Sequence, residues 1–229
     1  MFALSEFWLL QGFKEPALLE TTLQSVPELQ FLIPAWEKEG YISLYETVML
    51  LPQAEVQRRL SPLFDRLLPL YEAGKLKKDS PDFWAARACQ TFCKGGALDR
   101  GIFSIYLLNL VHLNPGEAVY QDVGVLHAYL EGQNVELMAN SDNVLRGGLT
   151  SKHVDVVELI KQVRFEPMQP RLIDPIYNSL GQVSIYPTPA ADFELQYYRL
   201  SAGQLLQQEG ATLDIYFILE GNVEIHEAK

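Results

Sequence analysis

The hydrophobic period of this chain changes at Arg100-Gly101, and that change limits the folds open to it. Before it, apolar residues recur at spacings of three and four. Val56, Leu60, Phe64, Leu67 and Tyr71 form one stripe behind Pro52, a good first-turn residue, and Gly74 closes the segment. Glu15 to Ser25 repeats the pattern with Leu18, Leu19 and Leu23. Asp79-Ser80-Pro81-Asp82 is a helix start, and Gly95-Gly96 ends that helix. Ser5 reads as a further cap, with Gly12 as the stop, so residues 5–94 are expected to be helical throughout. After the change, Phe103, Ile105, Leu107 and Val111 lie in a nearly continuous apolar run, the pattern of a strand covered on both faces.

Short strands separated by turns come next. They are expected at Ala118–Val123, His127–Leu130 and Val135–Ala139, with a loop over Asn140–Thr150 and a short helix over Val154–Gln162. Pro167, Pro170, Pro175, Pro187 and Pro189 mark a second boundary near residue 166. Strand patterns then appear at Val183–Tyr186, Phe193–Leu200, Ile215–Leu219 and Val223–His226. Leu113-Asn-Pro-Gly-Glu-Ala leading to His127-Ala-Tyr-Leu-Glu-Gly is echoed by Leu200-Ser-Ala-Gly-Gln leading to Tyr216-Phe-Ile-Leu-Glu-Gly, which suggests two copies of one β unit. The class is α+β. Its expected parts are a helical domain over 1–98, a β-barrel portion over 99–166 and a second β portion over 167–229.

The 229 residues carry a net charge of −11, which argues against a nucleic acid or an anionic membrane as partner. No apolar run is long enough to span a bilayer and no signal-peptide pattern opens the chain, so a cytoplasmic protein is expected. Cys89 and Cys93, four apart on a helical pattern, point the same way. They read as packed, reduced thiols rather than a disulfide or half a metal site. Trp36 and Trp84 read as packing between helices rather than sugar-stacking platforms.

The chemistry concentrates between Pro115 and Lys152. Within that stretch lie His127, Glu136, Asp142, Arg146 inside Leu-Arg-Gly-Gly, and Lys152. So many ionisable groups on a β framework are costly unless they converge on a ligand, so the stretch reads as one wall of a binding site. His127 offers a neutral imidazole to a metal; the alternative is a hydrogen-bonded barrel histidine. Glu136 suits a proton shuttle if buried, or else pairs with Arg146. Arg146, flanked by glycines, suits electrostatic stabilisation of an oxyanion, and Asp142 and Lys152 suit contacts to substrate oxygens. His112 and His153 read as structural.

These residues resemble the type I phosphomannose isomerases. The resemblance is carried by Asn114-Pro-Gly-Glu-Ala, Gly124-Val-Leu-His127-Ala-Tyr, and Glu136-Leu-Met-Ala-Asn-Ser-Asp-Asn-Val-Leu-Arg146-Gly-Gly-Leu-Thr-Ser-Lys152-His-Val-Asp. Ser104-Ile-Tyr-Leu-Leu-Asn-Leu and Tyr186-Pro-Thr-Pro-Ala-Ala-Asp-Phe support it. It implies two cupin-type β-barrels, both incomplete here, with a helical domain inserted in the first. It also implies zinc-dependent interconversion of mannose 6-phosphate and fructose 6-phosphate through an enediolate. The family's single zinc is held by a Gln-x-His pair, a glutamate and a later histidine, and His127 matches the last. The other ligands would lie upstream of Met1, and the closing strands of the second barrel beyond Lys229. Two expectations result. One is an isomerase fragment completed by a second chain that supplies the missing N-terminal half. The other is a non-catalytic sugar-phosphate-binding or interaction module without its metal site. Ser151 departs from the proline usual before the lysine.

Overall fold

The computed structural model describes residues 1–141, 143–207 and 213–226, with every side chain among them except that of Lys94. In chain order the elements are β1 (Phe2–Ala3), β2 (Phe7–Phe13), α1 (Pro16–Ser25), a 3₁₀ helix over Pro27–Leu32, α2 (Ile33–Leu50), α3 (Gln53–Glu72), α4 (Pro81–Phe92), α5 (Gly101–Leu107), β3 (Leu108–Leu113), β4 (His127–Glu131), β5 (Asn134–Val135), α6 (Val156–Gln162), β6 (Ile176–Tyr177), β7 (Val183–Tyr186) and β8 (Leu195–Tyr198). No helix among them is long and apolar enough to cross a membrane.

The helix signals hold where caps or breakers enforce them. Ser80 caps α4 by accepting from the Asp82 N–H. Gly74, at φ 65°, closes α3, and the Lys75 N–H reaches back to the Leu70 carbonyl. Asp155 caps α6 in the same manner as Ser80.

Several expectations fail, and the first two come from reading period in short apolar runs. Residues 7–13 form a strand, not a helix from Ser5 to Gly12. Phe-Trp-Leu-Leu-Gln-Gly-Phe is buried at every position because β2 is the central strand of a β3-β2-β4 antiparallel sheet. A strand covered on both faces shows no alternation, so it mimics a buried helix. Conversely, Gly101–Leu107 is helix α5 rather than strand, and the strand begins only at Leu108. Further along, Ala118–Val123 contributes only bridges from Ala118 to Phe2 and from Val119 to Leu172, and β5 stops at Val135. No strand forms at Ile215–Leu219 or Val223–His226; Ile215 is 90% exposed. Among the described residues these segments pair with no sheet, so pattern alone does not make them strands.

The sheet has two working faces. Trp8, Leu10, Leu110, Ala128 and Leu130 turn toward the helices and join the large core built around Leu60, Trp84 and Phe103. Phe7, Leu9 and Leu113 turn the other way, into a smaller cluster with Ala3 and Val119. Glu131, on the helical face, binds Lys78 and Arg87 at once and ties α4 and its preceding loop to β4. Separately, β6-β7-β8 forms a second antiparallel sheet, whose Tyr186 packs edge-on against Phe2 at 5.1 Å. Cys89 and Cys93 are free thiols, and Trp84 is buried, as the sequence suggested.

Candidate functional site

His127 opens β4 and sits directly opposite Gln11 of β2, so the two side chains share the face of the sheet that turns away from the helices. Its Nδ1 lies 2.9 Å from the Val125 carbonyl oxygen. A carbonyl only accepts, so Nδ1 carries the hydrogen and Nε2 is left with its lone pair. The imidazole is exposed. This is the orientation that a metal-binding or acid–base histidine requires.

Two residues on, Tyr129 lies on the same face, its ring centroid 6.1 Å from that of His127 and 5.4 Å from that of Phe7. The Tyr129 hydroxyl is 2.6 Å from Glu136 Oε1 and 2.9 Å from Gln121 Oε1. Burial raises its pKa, and the hydrogen bond to Glu136 with the charge of that carboxylate adds to the rise, so it stays a donor. Glu136 itself is exposed, not buried as a desolvated shuttle would be. Tyr129 fixes Oε1, the Met1 ammonium feels the carboxylate's charge, and among the described residues Oε2 makes no hydrogen bond.

Arg146 is placed by its glycines. A Cβ on Gly147 would stand 2.7 Å from the Tyr45 hydroxyl, and one on Gly148 2.7 Å from the Gly101 Cα. The loop therefore presses on α2 and α5: the glycines admit close approach to the helices. Among the described residues Arg146 makes no hydrogen bond or ion pair, so the expected alternative of a Glu136–Arg146 pair does not form. Lys152 is exposed, its backbone N–H donating to Thr150 Oγ1. Asp142 lies outside the described residues. His112 stacks on Trp8 at 4.3 Å with Nε2 3.2 Å from Glu6, a packing role as expected.

The wall thus brings His127, Tyr129 and Glu136 together. Residue type does not single out Tyr129, although strand alternation from His127 points to it. Gln121 carries no sequence signal. Among the described residues no three His, Cys, Asp or Glu side chains converge to hold an ion. His127 is suitably oriented, but one donor does not make a zinc site, so these residues do not by themselves fit the metal.

This geometry defines an α+β protein with a helical layer on one face of an antiparallel sheet and a histidine wall on the other. The Escherichia coli K12 mannose-6-phosphate isomerase is 32% identical over 98% of this chain and 56% of its own length. The apo mannose 6-phosphate isomerase from Salmonella typhimurium superimposes with TM-score 0.73 at 31% identity, covering 87% of this chain and 50% of that one. A second Salmonella typhimurium structure, described as bound to substrate and zinc, matches with TM-score 0.72 at 31% identity, over 87% of this chain and 49% of its own. No protein-family model matches. By sequence and by fold the chain is a homologue of the mannose-6-phosphate isomerases, and it spans about half the length of the curated relatives it matches.

Proposed function

We propose that this chain is part of a mannose-6-phosphate isomerase, carrying a helical domain, one wall of the catalytic cupin barrel and part of a second barrel (167–229), both barrels being incomplete within it; the helical domain expected over 1–98 gives up β1 and β2 to the wall expected over 99–166, because they pair with β5, β3 and β4. His127 would be one ligand of the zinc, with the remaining ligands supplied from outside the described residues. The observation that carries this reading is the His127 ring, held by the Val125 carbonyl with Nε2 free on the face shared with Tyr129 and Glu136.

The isomerisation moves a proton between C1 and C2 of an open-chain sugar phosphate. Glu136 is the group to carry it: Tyr129 pins one carboxylate oxygen, and the other, without a hydrogen bond among the described residues, is left for the carbon-bound proton. The Arg146 guanidinium, without a protein partner among the described residues, would stabilise the enediolate oxyanion, and Asp142 and Lys152 would bind substrate oxygens. Exposed Ile215, Phe217 and Leu219 support the incomplete second barrel, whose uncovered face calls for a second chain.

The test is zinc content of the purified chain together with turnover of mannose 6-phosphate, with and without added metal. Little bound zinc and no turnover by the chain alone, with turnover restored by a co-expressed isomerase N-terminal segment, is expected. Stoichiometric zinc and turnover from this chain alone would overturn the fragment reading. Tight binding of fructose 6-phosphate with no restored turnover would favour the second reading, a sugar-phosphate-binding module, for which the lack of a metal cluster among the described residues speaks.

A further inference from the structure

Gln11 is a polar residue in the middle of an apolar strand, 1% exposed, and its amide is only half satisfied. Nε2 donates to the Tyr120 carbonyl at 2.8 Å. Oε1 is buried with no partner among the described residues. Turning the amide over would not help, because the Tyr120 carbonyl needs the donor where it is. Gln121 is different. Its Nε2 is also unpaired, but a half-turn of that amide lets it donate to the Tyr129 oxygen while the hydroxyl hydrogen goes to Glu136. Gln11 has no such internal remedy. A buried unpaired acceptor destabilises a fold, and a leucine or methionine would fill the position without that cost.

What the fold receives in return is position. The Gln11 amide reaches across from β2 and holds the backbone at Tyr120, one residue before Gln121, and Gln121 meets the Tyr129 hydroxyl that holds Glu136. Asp122, the next residue, is anchored to Arg164 at 2.6 Å, so the loop is fixed on both sides of Gln121. Gln11 is moreover the cross-strand neighbour of His127.

We infer that Gln11 is a positioning residue for this site: through the Tyr120–Gln121 backbone it sets the Tyr129–Glu136 pair against the His127 face, and the fold keeps it despite the unpaired Oε1. This deepens the isomerase proposal and rests on it for what Glu136 does; the placing of Tyr129 does not depend on it. The test is nuclear magnetic resonance of the full chain labelled with ¹³C-tyrosine, the Tyr129 signal being assigned by its disappearance in Tyr129→Phe. Gln11→Met keeps the bulk and removes the amide; Gln11→Asn keeps the amide and shortens its reach. Both variants are expected to fold by circular dichroism and to shift the Tyr129 ring-carbon resonance toward that of an exposed tyrosine. An unmoved Tyr129 resonance in folded variants would overturn the inference. So would unfolding of both, since Gln11 would then belong to the framework. Added fructose 6-phosphate separates the two ideas. If, with the chain co-expressed with the isomerase N-terminal segment and supplied with zinc, it leaves the wild-type Tyr129 signal in place while Gln11→Met moves it, the isomerase reading fails and the positioning role stands.

Discussion

Lys14 is the one charged residue that is buried among the described residues. It follows β2, is 5% exposed, and among the described residues its ammonium meets only the Tyr106 carbonyl at 2.6 Å and the Thr22 hydroxyl at 3.5 Å, with no carboxylate bonded to it. Burial lowers its pKa from 10.5 to about 8. Below pH 7 the amine is protonated in both folded and unfolded states, and the fold carries the full desolvation cost. Above pH 8 the folded chain releases the proton while the unfolded chain keeps it to 10.5. The unfolded state then binds more protons, so stability rises with pH through this window. At about 1.4 kcal/mol per pH unit, the gain across the window is about 3 kcal/mol. Cys89, pushed up to about 12 by burial and then by Cys93, works in the opposite direction above pH 9, and so does Tyr106, raised by burial and Asp82. Lys14→Met isolates the lysine, because the variant keeps those groups. Urea unfolding followed by tryptophan fluorescence at pH 7, 8, 9 and 10 is the assay. The native chain should gain on Lys14→Met steadily above pH 8, after a flat difference below pH 7. A difference that stays flat to pH 10, or falls, would refute the account of Lys14 as a desolvated amine.

Other perturbations have equally definite outcomes. Leu60→Ala, at a fully buried position of α3, should cost about 2–5 kcal/mol in urea melts. Gly148→Ala meets the Gly101 backbone at a φ of 127°, so it should destabilise by about 1–3 kcal/mol and raise protease cleavage in the 140–150 loop; unchanged cleavage would count against the packing described for Arg146. Glu131→Gln should cost about 1–2 kcal/mol at pH 7. Its carboxyl pKa is lowered by Lys78 and then Arg87, so that stabilisation is present above the ordinary carboxylate range, and the gap to native should close as pH falls through it.

The helices α1, α3 and α4 were legible because their apolar stripes are flanked by prolines, a serine cap and Gly74, signals that act within a few residues. His127 and Glu136 were legible as chemistry-bearing types. Their convergence is carried by Tyr129, whose place on the His127 face alternation implies but whose residue type signals nothing. Gln11 was silent, because one amide in an apolar run has no pattern. Its meaning lies in what stands opposite it across the sheet.

The residue order by itself determined the α+β class, the helical layer and the singling out of His127 and Glu136, because caps, turns and ionisable side chains act locally. Tertiary structure alone decided that residues 7–13 are a strand and 101–107 a helix, for burial on both sides erases the period that tells them apart. It also decided that Tyr129 clasps Glu136, that the Arg146 glycines press on helices, and that the apolar segments near Ile215 and Val223 form no strand. A strand exists only with a partner to complete its hydrogen bonds, and no local sequence supplies one.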